Sequence, residues 1–91
     1  MKLTDIKMRF PAEDSKLKAI ATLTFDHEFV IHDVKVIDSD GRLFVAMPSK
    51  RMMDGTYRDI AHHINREARE KLESNVLSEY EKLLSVQSSV L

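Results

Sequence analysis

The apolar residues of this 91-residue chain change period once, and that change restricts the folds open to it. Up to Met47 they recur at every second position, the repeat of a strand with one covered face. After Asn65 they recur at every third or fourth position, the repeat of a helix. In residues 3–10, Ile6, Met8 and Phe10 face one way and Asp5, Lys7 and Arg9 the other. Pro11 to Ser15 reads as a polar connection. Leu17, Ala19, Ala21, Leu23 and Phe25 then alternate with Lys18, Thr22 and Thr24, Ile20 being the exception. Asp26-His27-Glu28 can turn a hairpin, without the Asn-Gly pair that such turns prefer. Residues 29–37 are rich in β-branched side chains and read as a central strand. Asp38-Ser39-Asp40-Gly41 is a turn whose glycine accepts a positive φ. Leu43 to Met47 is a fourth strand, ended by Pro48, which cannot donate to a ladder.

Asn65 is a fitting N-cap, since its side-chain oxygen can accept from a free amide of the first helical turn. The stripe Ala68, Leu72, Val76, Tyr80 and Leu83 predicts a helix over about 65–84, with 85–91 as a flexible C-terminal tail. The fold class is therefore α+β: an antiparallel sheet of four to five strands followed by one long C-terminal helix, in a single domain over 1–84. Strict alternation places Val30, Val34 and Val36 opposite Ile31 and Ile37, and Ile20 opposite its own strand's main set. One helix cannot cover two apolar sheet faces, so a homodimer is expected, through edge-strand addition or exchange.

Chemistry is scarce in this composition. There is no cysteine, and the two glycines lie in separate turns, so neither a thiolate site nor a Gly-rich phosphate loop exists. Adjacent side chains on an extended segment point apart, which makes His62-His63 a poor chelating pair. His32, inside an apolar stretch, reads as a hydrogen-bonded core or interface histidine. No nucleophile–base–orienter set is apparent, so neither an enzyme nor a cofactor, metal or small-molecule substrate is expected. The N-terminus lacks an apolar signal core, and no apolar run approaches the ~18 residues of a membrane span. A cytoplasmic protein without a membrane partner is the expectation.

Charge is distributed unevenly. Residues 1–41 carry six Lys/Arg and eight Asp/Glu, 42–71 carry seven and four, and 72–91 carry one and three. The middle block, at +3, is the one net-positive segment, and a dimer would double it into a credible phosphate-binding surface. Lys50-Arg51, between Pro48 and Asp54-Gly55, is its centre, with Arg58 beyond the turn. A solvated loop is the plainer account of an isolated basic pair, and Arg58-Asp59 can be an internal ion pair. Arg66, Arg69 and Lys71 sit at the end of a helix where its dipole disfavours cations. That placement hints at another use, because a helix start beside a basic loop can seat phosphate.

Several ordered blocks carry a resemblance. They are Lys-Leu-Thr-Asp-Ile-Lys-Met-Arg at the N-terminus, residues 17–21 and 23–26, residues 29–37, Leu-Phe-Val-Ala-Met-Pro-Ser at 43–49, Asp54-Gly55, and Tyr-Arg-Asp-Ile-Ala-His at 57–62. Over about residues 1–84 the chain resembles the stage V sporulation protein G (septation regulator) family of bacteria. The resemblance implies a dimerising sheet-plus-helix regulator that binds DNA, in some members RNA. It also implies effects on asymmetric septation at sporulation and, in non-sporulating bacteria, on surface and virulence-gene expression. It puts the family's basic pair on Lys50 and Arg51 and its following arginine on Arg58; Arg66 and Arg69 are flanking candidates from charge alone. Met52-Met53 stands where the family commonly has Thr-Pro, and His63 where it commonly has Pro, which bears on loop rigidity and site preference. The alternative is a protein-interaction regulator of cell division that works through exposed apolar surface without touching nucleic acid.

Overall fold

The computed structural model describes residues 1–11 and 16–89, with backbone alone over 87–89. Most of the Pro11–Ser15 connection and the last two residues of the expected tail lie outside the described residues. Four strands, β1 (Leu3–Arg9), β2 (Leu17–Phe25), β3 (Phe29–Ser39) and β4 (Arg42–Ala46), form one antiparallel sheet in the order β1-β2-β3-β4. A separate two-stranded ladder, β5 (Ser49–Arg51) with β6 (Tyr57–Asp59), precedes one helix, α1 (Arg66–Ser89). The α+β class and the strand–helix order follow the sequence reading. The helix runs past 84, where the clear apolar stripe ends; Leu84 at that limit and Val86 beyond it are exposed.

The β2–β3 and β3–β4 hairpins turn on residue pairs with positive φ. Asp26 and His27 (φ 52° and 55°) occupy a tight turn without glycine, an arrangement that L residues resist. The start of β1 holds it in place. The Asp26 amide donates to the Lys2 carbonyl (2.7 Å), the Lys2 amide to Asp26 Oδ1 (3.0 Å), and the His27 amide to Thr4 Oγ1 (3.1 Å). Asp40-Gly41 turns β3 into β4, with the Gly41 amide donating to Asp38 Oδ1 at 3.0 Å.

The core lies between one sheet face and α1. Ala19, Ala21, Leu23 and Phe25 from β2, Val34 and Val36 from β3, and Val45 from β4 meet Leu72, Val76 and Tyr80 from the helix. Leu23, Val34, Val36 and Val76 are fully buried, each worth ~1.5–3 kcal/mol by transfer of apolar surface from water. Asn65 caps α1 as its position suggests: the Ala68 amide donates to Asn65 Oδ1 at 2.7 Å.

One expectation is corrected. Ala21 pairs Val34 and Leu23 pairs Ile31, so β3 spends one extra residue against β2. Asp33, at φ 61°, belongs to this β-bulge. The bulge shifts the side-chain phase, so Ile31 packs against the same core as Val34 and Val36. Val34 and Val36 are therefore covered by the helix and are not surplus on a second face. Ile20, Val30, Ile37 and Phe44 remain on the uncovered side.

Candidate nucleic-acid interface

The basic segment is a hairpin, where the sequence suggested a loop. Ser49 pairs Asp59, Lys50 pairs Arg58, and Arg51 pairs Tyr57. The base closes where the Ile60 amide donates to the Pro48 carbonyl at 2.8 Å. The tip is tied by the Met52 amide on the Thr56 carbonyl (2.7 Å) and the Gly55 amide on the Met52 carbonyl (3.0 Å). Gly55 sits at φ 90°, a conformation that a side chain rarely adopts. Asp54 Oδ1 accepts from the Thr56 hydroxyl (2.6 Å) and the Thr56 amide (3.0 Å). These two bonds, the hydroxyl's first, hold the Asp54 carboxyl below its ordinary pKa of 3.8. The Met52-Met53 departure thus leaves an ordered tip, with Met53 fully exposed and Met52 partly covered.

Alternation along these short strands puts Lys50 and Arg58 on one face and Arg51 on the other, beside Tyr57. Lys50, Arg51 and Arg58 are exposed and make no ion pair or hydrogen bond through their side chains among the described residues. Arg58 and Asp59 are neighbours on opposite faces of β6, so the internal pair considered from the sequence does not form. Two like charges directly opposite on a ladder repel each other. The arrangement favours a third party of negative charge.

The flanking cations differ. Arg66 Nε lies 3.0 Å from Glu70 Oε1 and Arg69 Nε 2.8 Å from Glu73 Oε1, both one helical turn apart. The Glu73 hydrogen bond, then its charge, raise the Arg69 pKa, with Asp59 adding to the effect. Such i,i+4 pairs give a structural account of cations at a helix start. Of the five site candidates, Lys50, Arg51, Arg58, Arg66 and Arg69, the structure brings three together on the hairpin and commits two to glutamates on their own helix.

A second feature borders the hairpin. Ile60 to Ile64 links β6 to α1 and runs beside a groove of about 970 Å³ whose apolar walls include Leu3, Phe25, Phe29, Met47 and Leu72. Tyr57, Ile60 and Ile64 are 70%, 69% and 92% exposed. The sequence reading used this segment for its family resemblance, for Arg58 and for His62-His63, but did not single out its apolar side chains, which follow neither a strand nor a helix period.

Fold and site together define a small α+β domain with one covered sheet face and a projecting cationic hairpin whose cations are unpaired among the described residues. The chain belongs to the SpoVG family, whose pattern matches residues 1–82. It is 48% identical over 91 residues to a Brevibacillus brevis protein, covering 100% of this chain and 96% of the relative. A Bacillus licheniformis relative is 52% identical over 87 residues (96% and 90% covered). A Bacillus velezensis relative is 53% identical over 83 residues (91% and 86% covered). All three carry the name "Putative septation protein SpoVG".

Proposed function

We propose that this chain is a homodimeric regulator of septation that binds nucleic acid through the β5–β6 hairpin. The septation role rests on the names of its relatives. The observation that carries nucleic-acid binding is the hairpin itself, where Lys50 and Arg58 stand directly opposite with Arg51 on the reverse face and, among the described residues, no carboxylate pairs any of them. Phosphate oxygens would relieve that repulsion, and cations on a projecting arm can reach a backbone without moving the sheet. Arg66 and Arg69 contribute field, although their glutamates offset part of it. DNA is the first candidate ligand and RNA the second. Wild type and Lys50→Ala/Arg51→Ala are to be compared for DNA affinity across a salt titration. Losing two phosphate contacts from each protomer, four per dimer, should flatten the slope of log K against log salt by about 4. Equal slopes and affinities would remove the hairpin from the interface.

Dimerisation is supported by the apolar groove and the exposed Tyr57–Ile64 segment. A surface that carries both a groove and a protruding apolar arm is suited to isologous pairing, in which each copy covers the other. The same observation favours the second reading, a regulator that docks a different protein in this groove. Recovery of one stoichiometric protein partner together with salt-independent, negligible DNA binding would select that reading.

A further inference from the structure

The sheet face turned away from α1 carries its own cations. Ala21 and Leu23 point into the core, so Ile20, Thr22 and Thr24 point outward. The strand register places Arg9, Ile20, Lys35 and Ala46 in one row across all four strands, and Lys7 beside Thr22 in the next. Phe44 pairs Ile37 further along, and both neighbour core residues, Val45 and Val36, so they face outward too. Lys7, Arg9 and Lys35 are exposed and pair with no carboxylate among the described residues. With strands about 4.8 Å apart and alternate residues about 7 Å apart along a strand, these cations lie roughly 7–12 Å from one another. Between and beside them is an apolar floor of Ile20, Ile37 and Phe44, the last 39% exposed. Among the described residues, Asp5, opposite Thr24, and Asp33 in the bulge are the acids that the register sets beside these rows.

We propose that this open sheet face binds single-stranded nucleic acid, with Lys7, Arg9 and Lys35 on the backbone and Phe44 against a base. The inference rests on the reading of the chain as a nucleic-acid-binding protein but uses a surface separate from the hairpin. Charge selects a polyanion. The apolar floor selects one with flat faces to bury, and a single strand offers them where a duplex keeps its bases stacked inside. A second copy of this chain fits poorly, because two such faces meeting would oppose the same cations to one another.

The test uses the full chain, a labelled oligothymidylate and a labelled DNA duplex, with binding read by fluorescence anisotropy over a range of salt. Lys7→Ala/Arg9→Ala/Lys35→Ala should weaken oligothymidylate binding at least tenfold and flatten its salt slope by about 2, as three lost phosphate contacts require. Phe44→Leu should weaken it roughly fivefold or more with the slope unchanged. Circular dichroism melts check folding, and the glutamine versions of the three cations keep part of the side-chain stems should the alanine set unfold. Oligothymidylate binding equal to wild type in the triple variant overturns the proposal. So does a neutral Phe44→Leu combined with equally effective competition by polyglutamate, which marks a general polyanion surface. Duplex binding lost in Lys50→Ala/Arg51→Ala, with no single-strand binding by wild type, overturns it and leaves the hairpin standing. Single-strand binding lost only in the sheet variants, with duplex binding untouched by the hairpin variant, supports it while the hairpin reading fails.

Discussion

Lys50 and Arg58 face each other across the hairpin, and a cross-strand pair of like charges costs stability that an opposite pair would restore. Lys50→Glu therefore separates fold from function. Its thermal midpoint should equal or exceed that of wild type, by up to about 1 kcal/mol of cross-strand attraction, while DNA affinity falls. A destabilised Lys50→Glu would mean that the repulsion is not felt. Asp54 gives the hairpin tip a pH response. Its folded pKa lies below 3.8, so its contribution is complete above that value and is lost as pH falls through the lower, folded pKa. The Thr56 amide resonance, which reports the bond to Asp54, should stay constant from neutral pH to about 4 and move only below it. Movement centred above 4 would contradict the two Thr56 bonds. At this scale the sequence was informative about identity and silent about pairing. Lys50, Arg51 and Arg58 were recognisable as one basic group. That Lys50 opposes Arg58, and that Arg66 and Arg69 are held by Glu70 and Glu73, depends on a ladder register and on rotamers that charge counting does not contain.

Among the elements, β3 departs furthest from its sequence pattern. A bulge inserts one residue without any change in composition, so Val-Ile-His-Asp-Val-Lys-Val reads as continuous alternation although the phase shifts in the middle. The clue was Asp33 itself, one of the few L residues that tolerate a left-handed backbone. Asp33→Val puts a β-branched side chain at φ 61°, where the clash is worst. It should cost about 1–2 kcal/mol, several degrees in thermal midpoint for a chain of this size. Asp33→Gly should melt close to wild type. Equal melting of the valine variant would show that β3 can hold its register without the bulge, which would return Val34 and Val36 to the question of a second apolar face. The other elements were legible because their signals are local: alternation in β2, the Asp40-Gly41 turn, and the Asn65 cap ahead of a 3.6-residue stripe. The β5–β6 ladder was missed because its strands are three residues each, too short for any period to register.

For the whole molecule, the bulge changes where an interface should be sought. With Val34 and Val36 under the helix, and cations set among the apolar residues of the open face, the groove and the Tyr57–Ile64 segment beside it are, among the described residues, the apolar surface best suited to self-association. Ile60 and Ile64 are 69% and 92% exposed, and large apolar side chains bared together next to a groove mark an interaction site. Ile60→Glu/Ile64→Glu leaves the monomer's core untouched, since neither side chain contributes to it. Light scattering after gel filtration should show a dimer for wild type and a monomer for this variant, with secondary structure retained by circular dichroism. DNA binding should fall as well, by more than the two added carboxylates explain. The +3 block is doubled only in a dimer, and the salt slope should drop to about half because half the phosphate contacts are gone. Two other results are decisive in the opposite sense. A monomeric wild type would assign the groove to another protein. A variant that stays dimeric would move the interface to a sheet edge, where β1 and β4 still offer unpaired backbone.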